Sequence, residues 1–548
     1  MENAARNFDA LIEEFYEVWF RFHPIEALSA GVSGYEGGLP AVDDDETGAL
    51  GVWLESSIVA LEELDFNALD DDRRLDLELL FRACQDEHHA LLEYDWRHRD
   101  PVGFLPIRSL HQLVLTPQVD LRGLLGDFLG RIPEYLRHAR SQLSTFPTLI
   151  PHPWVEAALL ESAAGVHYLA ELRDGPLSKV DTKDPGKVRE LCDQVGHSLT
   201  EYNQFLEQEI AHRAQGLAGC GRERFEQRMR LCHFLEADPH RLLEIVRELL
   251  EQTRAELRQL CMNHSGYGDA AVWVDALRRH NAVDSAQMLD FARECNGNLR
   301  DFILSVDLFD IPASAQLRVE YTPSCFRPGV CAPVYVAPVP GDSRMTGTIY
   351  LSPESGWKES ITAHCIRSGW GGYHLQSVTA AESPVAGSLV RRLVSSATMS
   401  EGWKLYTEQL LFDQGFAATP EQSLVRLLER LRRLLLAALD VEVHVDGLAV
   451  ETALERLEAL PGGSPEQAAL DLMRLTRMPT ESLAGVLGWR MLEILRKERE
   501  EIDAGFEAKV FHGNLLRLGT IALPMAIRRA FGQEQWESIQ DRLGLERP

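Results

Sequence analysis

An apolar repeat of three and four residues recurs along almost the whole of this 548-residue chain and constrains its fold more than any other feature. Near the N-terminus, Phe8, Leu11 and Phe15 lie on one face of a predicted helix. Comparable stripes cover residues 75–84, 121–136, 188–210, 243–250, 424–439 and 483–495. Helices of this kind bury their apolar faces by packing against one another. The sequence therefore predicts a mostly α-helical protein built from long antiparallel helices.

One interval departs from the helical pattern. From Leu317 to Leu351 the chain is rich in Val, Tyr, Thr and Pro, a composition typical of strands bounded by turns. We expect short strands at 334–336 and 348–350, with a turn over residues 338–342. The sequence thus predicts a single unit over residues 1–548, made of an N-terminal helical half (1–310), a small antiparallel β insert (311–352) and a C-terminal helical half (353–548).

The charge balance limits the partners of the protein. There are 84 acidic and 55 basic residues, a formal net charge of −29. Affinity for nucleic acid and for anionic lipid comes largely from Lys and Arg, so neither is an expected partner. The acidic run Asp43 to Glu46 is interpreted as a solvated loop.

The cysteines and the N-terminus indicate a compartment. The nine cysteines include no C-x-x-C pair and form neither a disulfide framework nor a zinc knuckle pattern. The first residues, Met-Glu-Asn-Ala-Ala-Arg, lack the basic patch and apolar core of a signal peptide. No uninterrupted apolar stretch reaches the roughly 18 residues of a membrane span. We therefore expect a cytoplasmic protein with no membrane partner.

Candidate chemistry lies between Thr348 and Glu408. His364 and His374 precede Glu401, which opens the stretch Glu-Gly-Trp-Lys-Leu-Tyr-Thr-Glu. Two neutral imidazoles and one carboxylate form the ligand set of a hydrolytic zinc site that leaves one position open for water. In such a site the residue after the first His is a Glu that accepts a proton from the water; here it is Cys365.

These motifs resemble those of the domain of unknown function 885 family. The stretch His364 to Gln376 is similar to a degraded form of the family's H-E-x-x-P-G-H-H-x-Q signature, and Glu401 to Glu408 resembles its E-G-W-A-L-Y-x-E. Matches to other family segments, in the family's order, occur at residues 24–31, 319–323, 332–335, 440–444, 478–479 and 511–516. The resemblance covers nearly the whole chain and indicates one unit rather than the three or four domains that its length allows.

The resemblance implies a fold similar to carboxypeptidase Taq-type metallopeptidases, with an internal cleft lined by the motif helices. It also implies zinc as a cofactor, with His364, His374 and Glu401 as its ligands. Many relatives resemble secreted or lipoprotein zinc peptidases.

This sequence departs from the family signature at the positions that carry chemistry. His364 and His374 are ten positions apart, three more than in the signature. Without a gap, Arg367 and Ser368 stand where His and Glu belong, and Tyr373 replaces the first His of the H-H pair. The general-base Glu is absent in either alignment. Gly369, Gly371 and Gly372 should also interrupt the helix, because each interior Gly costs about 0.5–1 kcal/mol relative to Ala.

Three interpretations follow for the site. The first is a metal-independent pseudoenzyme that keeps the cleft for binding. The second is a metalloenzyme with ligands rebuilt from His364, Cys365, His374 and Glu401, a mixed set that suits zinc. The third uses Cys365 as a nucleophile or redox thiol beside one of the histidines; the structural alternative for Cys365 is a small buried residue.

Further residues are candidates for binding or catalysis. Tyr373 and Tyr406 could polarise a carbonyl oxygen, or pack in the core with a satisfied hydroxyl. His444, with Asp440 one helical turn earlier, could line the cleft or satisfy a helix end. His512 could bind substrate or stabilise the C-terminal packing. We assign Tyr373 and His444 as catalytic candidates, and Cys365, Tyr406 and His512 as substrate-binding candidates.

Glu401 needs a partner wherever it is buried, either a metal or an Arg. Arg391 and Arg392, ten and nine residues earlier, are the Arg candidates. Trp403 in the same motif is expected to pack in the core.

The function expected from the sequence is that of a metallopeptidase-like protein with a degenerate hydrolytic site, which binds a peptide or small amino-acid-derived ligand in its cleft. The alternatives are an active metal-dependent hydrolase with rebuilt ligands and a helical interaction scaffold. The sequence does not indicate the oligomeric state.

Overall fold

The computed structural model describes residues 2–115, 121–174, 185–266, 268–323, 326, 335–338, 343–353 and 356–545. Helices account for 73% of it, with one small sheet. The mostly α-helical fold with a small β insert is therefore confirmed.

The chain is divided into two compact units. Among the described residues, the first holds those up to Leu217 together with Pro323 and Phe326, and its core lies where α6 and α7 pack against α8. Its helices are α1 (Glu2–Phe22), α2 (Pro24–Ser29), α3 (Asp44–Glu62), α4 (Asp71–Glu93), α5 (Ile107–Leu115), α6 (Leu121–Thr145), α7 (His152–Asp174) and α8 (Pro185–Phe205). The division into halves at residue 310 stays a prediction.

The second unit begins at Ala218 and contains the sheet and all of the candidate site residues. Its helices up to the Glu401 motif are α9 (Arg222–His233), α10 (Pro239–Leu260), α11 (Ala270–His280), α12 (Ser285–Ser305), α13 (Lys358–Ser368), α14 (Tyr373–Glu382), α15 (Leu389–Leu393) and α16 (Ala397–Asp413). The remaining helices are α17 (Pro420–His444), α18 (Val450–Glu458), α19 (Pro465–Arg477), α20 (Glu481–Ile502), α21 (Ala508–Leu516), α22 (Leu523–Phe531) and α23 (Gln533–Leu543).

The sheet is mixed rather than purely antiparallel. Its strands β1 (Gln316–Tyr321), β2 (Tyr335–Val336) and β3 (Thr346–Leu351) lie in the order β1-β3-β2. β2 pairs antiparallel with β3 as predicted, but β1 pairs parallel with it, from Gln316 opposite Thr346 to Tyr321 opposite Leu351. The antiparallel prediction is wrong for β1. It assumed strands joined by a local turn, which produces antiparallel neighbours, whereas β1 and β3 are far apart in the sequence and pair parallel. The turn predicted over residues 338–342 lies outside the described residues, apart from Pro338.

Polar residues at helix starts explain several boundaries. The Asp43 side chain accepts a hydrogen bond from the Glu46 amide at 2.7 Å and caps α3. The acidic run is therefore a cap and first helical turn, where negative charge is favourable beside the helix dipole; the loop interpretation is wrong. Ser464 caps α19 in the same way, immediately before Pro465.

The core of the second unit is centred on α16, which packs along α20, while α17 contacts α20 and α10. Small residues let α16 and α20 approach closely. A Cβ added to Gly488 would lie 1.8 Å from the Thr398 carbonyl oxygen, and one added to Gly402 would lie 2.7 Å from the Gly488 backbone. Glu401, beside Gly402, is thereby held at a tight helix crossing.

Among the helices of the described residues, none has the length and apolar character of a membrane-spanning segment.

Candidate functional site

The candidate site is built around the glycine turn between α13 and α14. As predicted, the helix stops at Ser368 and the next begins at Tyr373. A Cβ on Gly372 would lie 1.7 Å from the Arg367 carbonyl oxygen, so this close turn requires glycine. Trp403 is fully buried, as expected, and its Nε1 donates to the Gly371 carbonyl at 3.0 Å. The turn is thereby fixed against α16.

Glu401 is the centre of the site. The Tyr373 hydroxyl donates to its Oε1, and Lys404 Nζ donates to its Oε2 at 2.5 Å. Arg433 Nη1 lies 3.2 Å from Oε2 and Arg474 Nη2 lies 3.4 Å from Oε1. Burial alone would raise the pKa of Glu401, but the three cations together hold it well below its usual range. Glu401 is therefore an ionised carboxylate enclosed by donors.

Lys404 and Tyr373 form a second contact within this group. Lys404 Nζ donates to the Tyr373 hydroxyl and lies 3.8 Å from the centre of the Tyr373 ring. Burial lowers the pKa of Lys404 to about 7, against the opposing effect of Glu401. Burial and the Glu401 charge both raise the pKa of Tyr373, so its hydroxyl remains protonated. The Tyr373 hydroxyl thus accepts a hydrogen bond from Lys404 and donates one to Glu401.

Further ion pairs extend the group along α16 and α17. Glu429 accepts from Arg433 Nε at 3.0 Å and from both Nε and Nη2 of Arg432. Arg432 Nη1 also contacts Asp471 at 2.5 Å. About two helical turns beyond Glu401 on α16, Glu408 accepts a hydrogen bond from Arg367 Nη1 of α13 at 2.9 Å. Each of these carboxylates is therefore paired with at least one arginine.

The predicted zinc ligands do not form a ligand set. Within the part of the chain that the structure describes, no group of three or more His, Cys, Asp or Glu side chains is placed to hold a metal ion. His364 uses Nε2 to donate to the Tyr350 carbonyl at 3.0 Å, and burial lowers its pKa to about 4. Both Glu401 oxygens already accept from donors. These residues do not fit a zinc ion as they stand.

His374 follows Tyr373 in the sequence, and its ring contacts Tyr335 and Trp370. Its Nδ1 is 2.9 Å from the Tyr335 hydroxyl, and its ring meets Trp370 edge-on at 4.4 Å. The Nε2 atom is buried and has no hydrogen-bond partner among the described residues. Burial lowers the pKa of His374 to about 3, so the ring is neutral. The Tyr335 ring stacks on Tyr373 and so connects His374 to the Glu401 group, which consists of Glu401, Tyr373, Lys404, Arg433 and Arg474.

His444 is engaged on both ring nitrogens by backbone groups. The Cys220 amide donates to Nδ1 at 3.1 Å, so Nε2 carries the proton and donates to the Leu475 carbonyl at 3.0 Å. Burial lowers its pKa to about 4. Asp440 accepts from the Thr480 and Leu483 amides, each at 3.0 Å, at the start of α20. This is the structural alternative considered for His444, and its assignment as catalytic stays a prediction.

Tyr406 and His512 are brought together in the core. The Tyr406 hydroxyl donates to His512 Nε2 at 2.7 Å, because His512 Nδ1 donates to the Leu308 carbonyl. Both side chains are buried, and burial lowers the pKa of His512 to about 3. Their assignment to substrate binding is untested by these contacts.

Cys365 is fully buried beside Cys295. The Cys295 thiol and burial raise the pKa of Cys365 well above its ordinary value, which keeps the thiol protonated. Its environment matches the small buried residue weighed as the alternative to a nucleophile.

The partners of Glu401 are the part of the site that sequence reasoning missed. Lys404 is one turn along α16, but Arg433 and Arg474 come from α17 and α19. The sequence pointed instead to Arg391 and Arg392. The available signal was the rule that a buried carboxylate needs a cation, which does not identify cations distant in sequence.

Two solved structures share this fold. "A putative lipoprotein of unknown function" from Shewanella oneidensis is 17% identical, with a TM-score of 0.75 over 95% of this chain and 99% of the other. "The putative lipoprotein" from Colwellia psychrerythraea is 15% identical, with a TM-score of 0.79 over 99% of both chains. At these identities the similarity establishes the fold. No curated protein shows significant similarity to the chain.

The descriptions of these two proteins contradict one prediction. Lipoproteins are held at a membrane by attached lipid. The cytoplasmic location predicted from the N-terminal residues is therefore wrong by this comparison.

The family resemblance seen in the motifs is also confirmed. The profile of the family described as "Bacterial protein of unknown function (DUF885)" matches residues 24–529. This match spans both compact units and contains every candidate site residue. The chain is a member of the DUF885 family.

Proposed function

We propose that this protein is a metal-independent member of its family that binds a ligand bearing a free carboxylate, such as the C-terminus of a short peptide, at the Glu401 group. In this proposal the hydrolytic site of a metallopeptidase-like ancestor has become a binding site. The observation that carries it is the enclosure of Glu401 by Tyr373, Lys404, Arg433 and Arg474.

The cations supply the positive charge that a metal would otherwise bring to Glu401. A buried carboxylate without a partner is strongly destabilising. Here three cationic side chains neutralise it, and Tyr373 satisfies Oε1. A zinc ion would have to displace these donors, which favours a site that works without metal.

Two of the cations are placed to receive a ligand. The Arg433 and Arg474 side chains are 26% and 43% exposed, whereas Lys404 is 5% exposed. Arg433 donates from Nη1 to Glu401 and from Nε to Glu429. Its Nη2 has no hydrogen-bond partner among the described residues. A guanidinium with an available edge binds carboxylates through charge-assisted hydrogen bonds. Around Glu401 itself three cations contact one carboxylate, which is favourable for a second anion even in a chain of net charge −29.

Calorimetric titration with tri-alanine in a buffer containing EDTA tests the proposal. We expect saturable binding of the free acid, and at least tenfold weaker binding of tri-alanine amide, because the amide lacks the charge. Arg433→Gln and Arg474→Gln should each weaken binding of the acid by about tenfold or more, equivalent to about 1.4 kcal/mol.

Arg456→Gln is the matched control. Arg456 is also partly exposed, at 39%, and is paired with a carboxylate, Glu442, away from the Glu401 group. Its substitution should leave binding unchanged. Equal affinity for the acid and the amide, equal losses in the control, or zinc-dependent cleavage of tri-alanine would overturn the proposal.

A further inference from the structure

Two cysteines from different helices lie side by side in the core next to the small sheet. Cys295 is on α12 and Cys365 is on α13. Both belong to one cluster of buried side chains, which also contains Val319 of β1 and Ile349 of β3. The two thiols are hydrogen-bonding partners. They are therefore neighbours in space, although 70 positions separate them in the sequence.

The helices that carry these cysteines pack closely against each other. Cys365 Sγ lies 3.7 Å from the carbonyl oxygen of Ala292, about one helical turn before Cys295 on α12. One turn after Cys365, a Cβ added to Gly369 would lie 2.2 Å from Asn296 Oδ1. A disulfide requires this kind of close approach, because its two Cα atoms lie about 4.4–6.8 Å apart.

The two thiols differ in exposure and in reactivity. Cys365 has no exposed surface, whereas 8% of Cys295 is exposed. The Cys365 thiol lowers the pKa of Cys295, while Cys295 and burial raise the pKa of Cys365. The thiolate is the form that attacks a disulfide. Cys295 is therefore the thiol that reacts first, and Cys365 reacts with a sulfur already attached to Cys295.

We propose that Cys295 and Cys365 form a reversible disulfide by exchange with a small-molecule disulfide such as oxidised glutathione. The Cys295 thiolate attacks one sulfur of the oxidant, and the other half leaves as a thiolate that takes up the proton released by Cys295. The Cys365 sulfur then attacks Cys295 Sγ in the mixed disulfide, and its proton goes to the second departing thiolate. The two cysteines lose two electrons and two protons, and the oxidant gains them as two thiols.

The bond fastens α13 to α12 next to the glycine turn of the candidate site. α13 ends at Ser368, and Tyr373, which donates to Glu401, begins the helix after the turn. A cross-link that closes a long loop restricts the unfolded chain and so stabilises the folded one. The oxidised and reduced forms should therefore differ in stability where α13 leads into Tyr373. The bond requires no ligand at the Glu401 group.

Treatment of the folded full chain with oxidised glutathione tests the proposal. The product is digested without reduction and analysed by mass spectrometry. We expect one cross-linked pair of peptides containing Cys295 and Cys365, with no glutathione retained at either position. The oxidised chain should melt about 5 °C higher than the reduced chain. Dithiothreitol should reverse both changes.

Single substitutions test the order of the two steps. Cys365→Ala should retain glutathione on Cys295, because no second thiol displaces it, whereas Cys295→Ala should leave Cys365 unmodified. Cys84→Ala is the control, because Cys84 is also buried but lies on α4; its removal should leave the cross-link unchanged. No cross-link in the wild-type chain, or a cross-link that forms only after unfolding in urea, would overturn the proposal. An oxidised chain that melts no higher than the reduced chain would overturn it as well.

Discussion

Glu401 connects the chemistry of the site to its stability. Its carboxylate is buried and accepts from one hydroxyl and three cations. Removing one partner of a buried ion pair typically costs about 3–5 kcal/mol, because the remaining charges are left uncompensated. We expect Glu401→Gln to reduce the free energy of unfolding by about this amount at pH 7, measured by urea denaturation.

The pH dependence of the same variant separates charge from packing. The pKa of Glu401 is lower in the folded chain than in the unfolded chain, so its stabilising contribution is complete above the unfolded value of about 4.3 and is lost as the pH falls below it. The difference between wild type and Glu401→Gln should therefore shrink below about pH 4. A difference that stays constant from pH 7 to pH 3 would show that packing, not charge, is responsible.

At the scale of single residues, sequence reasoning singled out Glu401 as a candidate site residue but did not identify its partners. The need for a cation follows from burial of a carboxylate. Arg433 and Arg474 reach Glu401 only because α17 packs against α16 and α19 packs against α17. This packing depends on contacts along whole helices, which no local pattern specifies.

At the scale of elements, the crossing of α16 and α20 positions Glu401. Gly488 has no room for a Cβ, which would lie 1.8 Å from the Thr398 carbonyl oxygen. We expect Gly488→Ala to separate the helices and to reduce the free energy of unfolding by about 3 kcal/mol, as overpacked cores do. Binding of tri-alanine should weaken as well, because Glu401 moves relative to its partners.

Gly297→Ala is the control for this substitution. Gly297 lies within α12 and has nothing within 4 Å of the added Cβ. It should stabilise the protein by roughly 0.5–1 kcal/mol, because Ala loses less backbone entropy in a helix than Gly. Destabilisation by both substitutions to the same extent would contradict the role of the close crossing.

The elements that could be predicted are those governed by local chemistry. Gly369, Gly371 and Gly372 follow the end of α13, and Ser464 with Pro465 begins α19. The parallel pairing of β1 with β3 was missed because it joins strands about 30 residues apart through a long connection. The acidic run at Asp43 was missed because capping and solvation favour the same residue types.

At the scale of the whole molecule, we expect the buried neutral histidines to make the protein less stable in acid. Burial lowers the pKa of six histidines among the described residues to about 3 or 4: His111, His233, His364, His374, His444 and His512. Between about pH 6.5 and 4 these groups are protonated in the unfolded chain and neutral in the folded chain. The free energy of unfolding should therefore decrease as the pH falls through this range.

Asp440 acts in the opposite direction, because burial raises its pKa to about 7. Burial also raises the pKa of Glu359, Glu408, Glu481 and Glu493, which act in the same direction as Asp440. The folded chain then holds a proton at Asp440 that the unfolded chain releases. Denaturation by urea at half-unit pH intervals measures the net effect. A free energy of unfolding that is constant or increases from pH 6.5 to 4 would contradict the assignment of these histidines as neutral.

The content and affinity of zinc test the central claim that the Glu401 group works without metal. Protein purified without chelator is analysed by mass spectrometry for bound zinc, then titrated with zinc alongside Glu401→Gln. We predict far less than one zinc per chain and no saturable site that the substitution removes. One tightly bound zinc per chain in the wild type, lost in Glu401→Gln, would contradict the account.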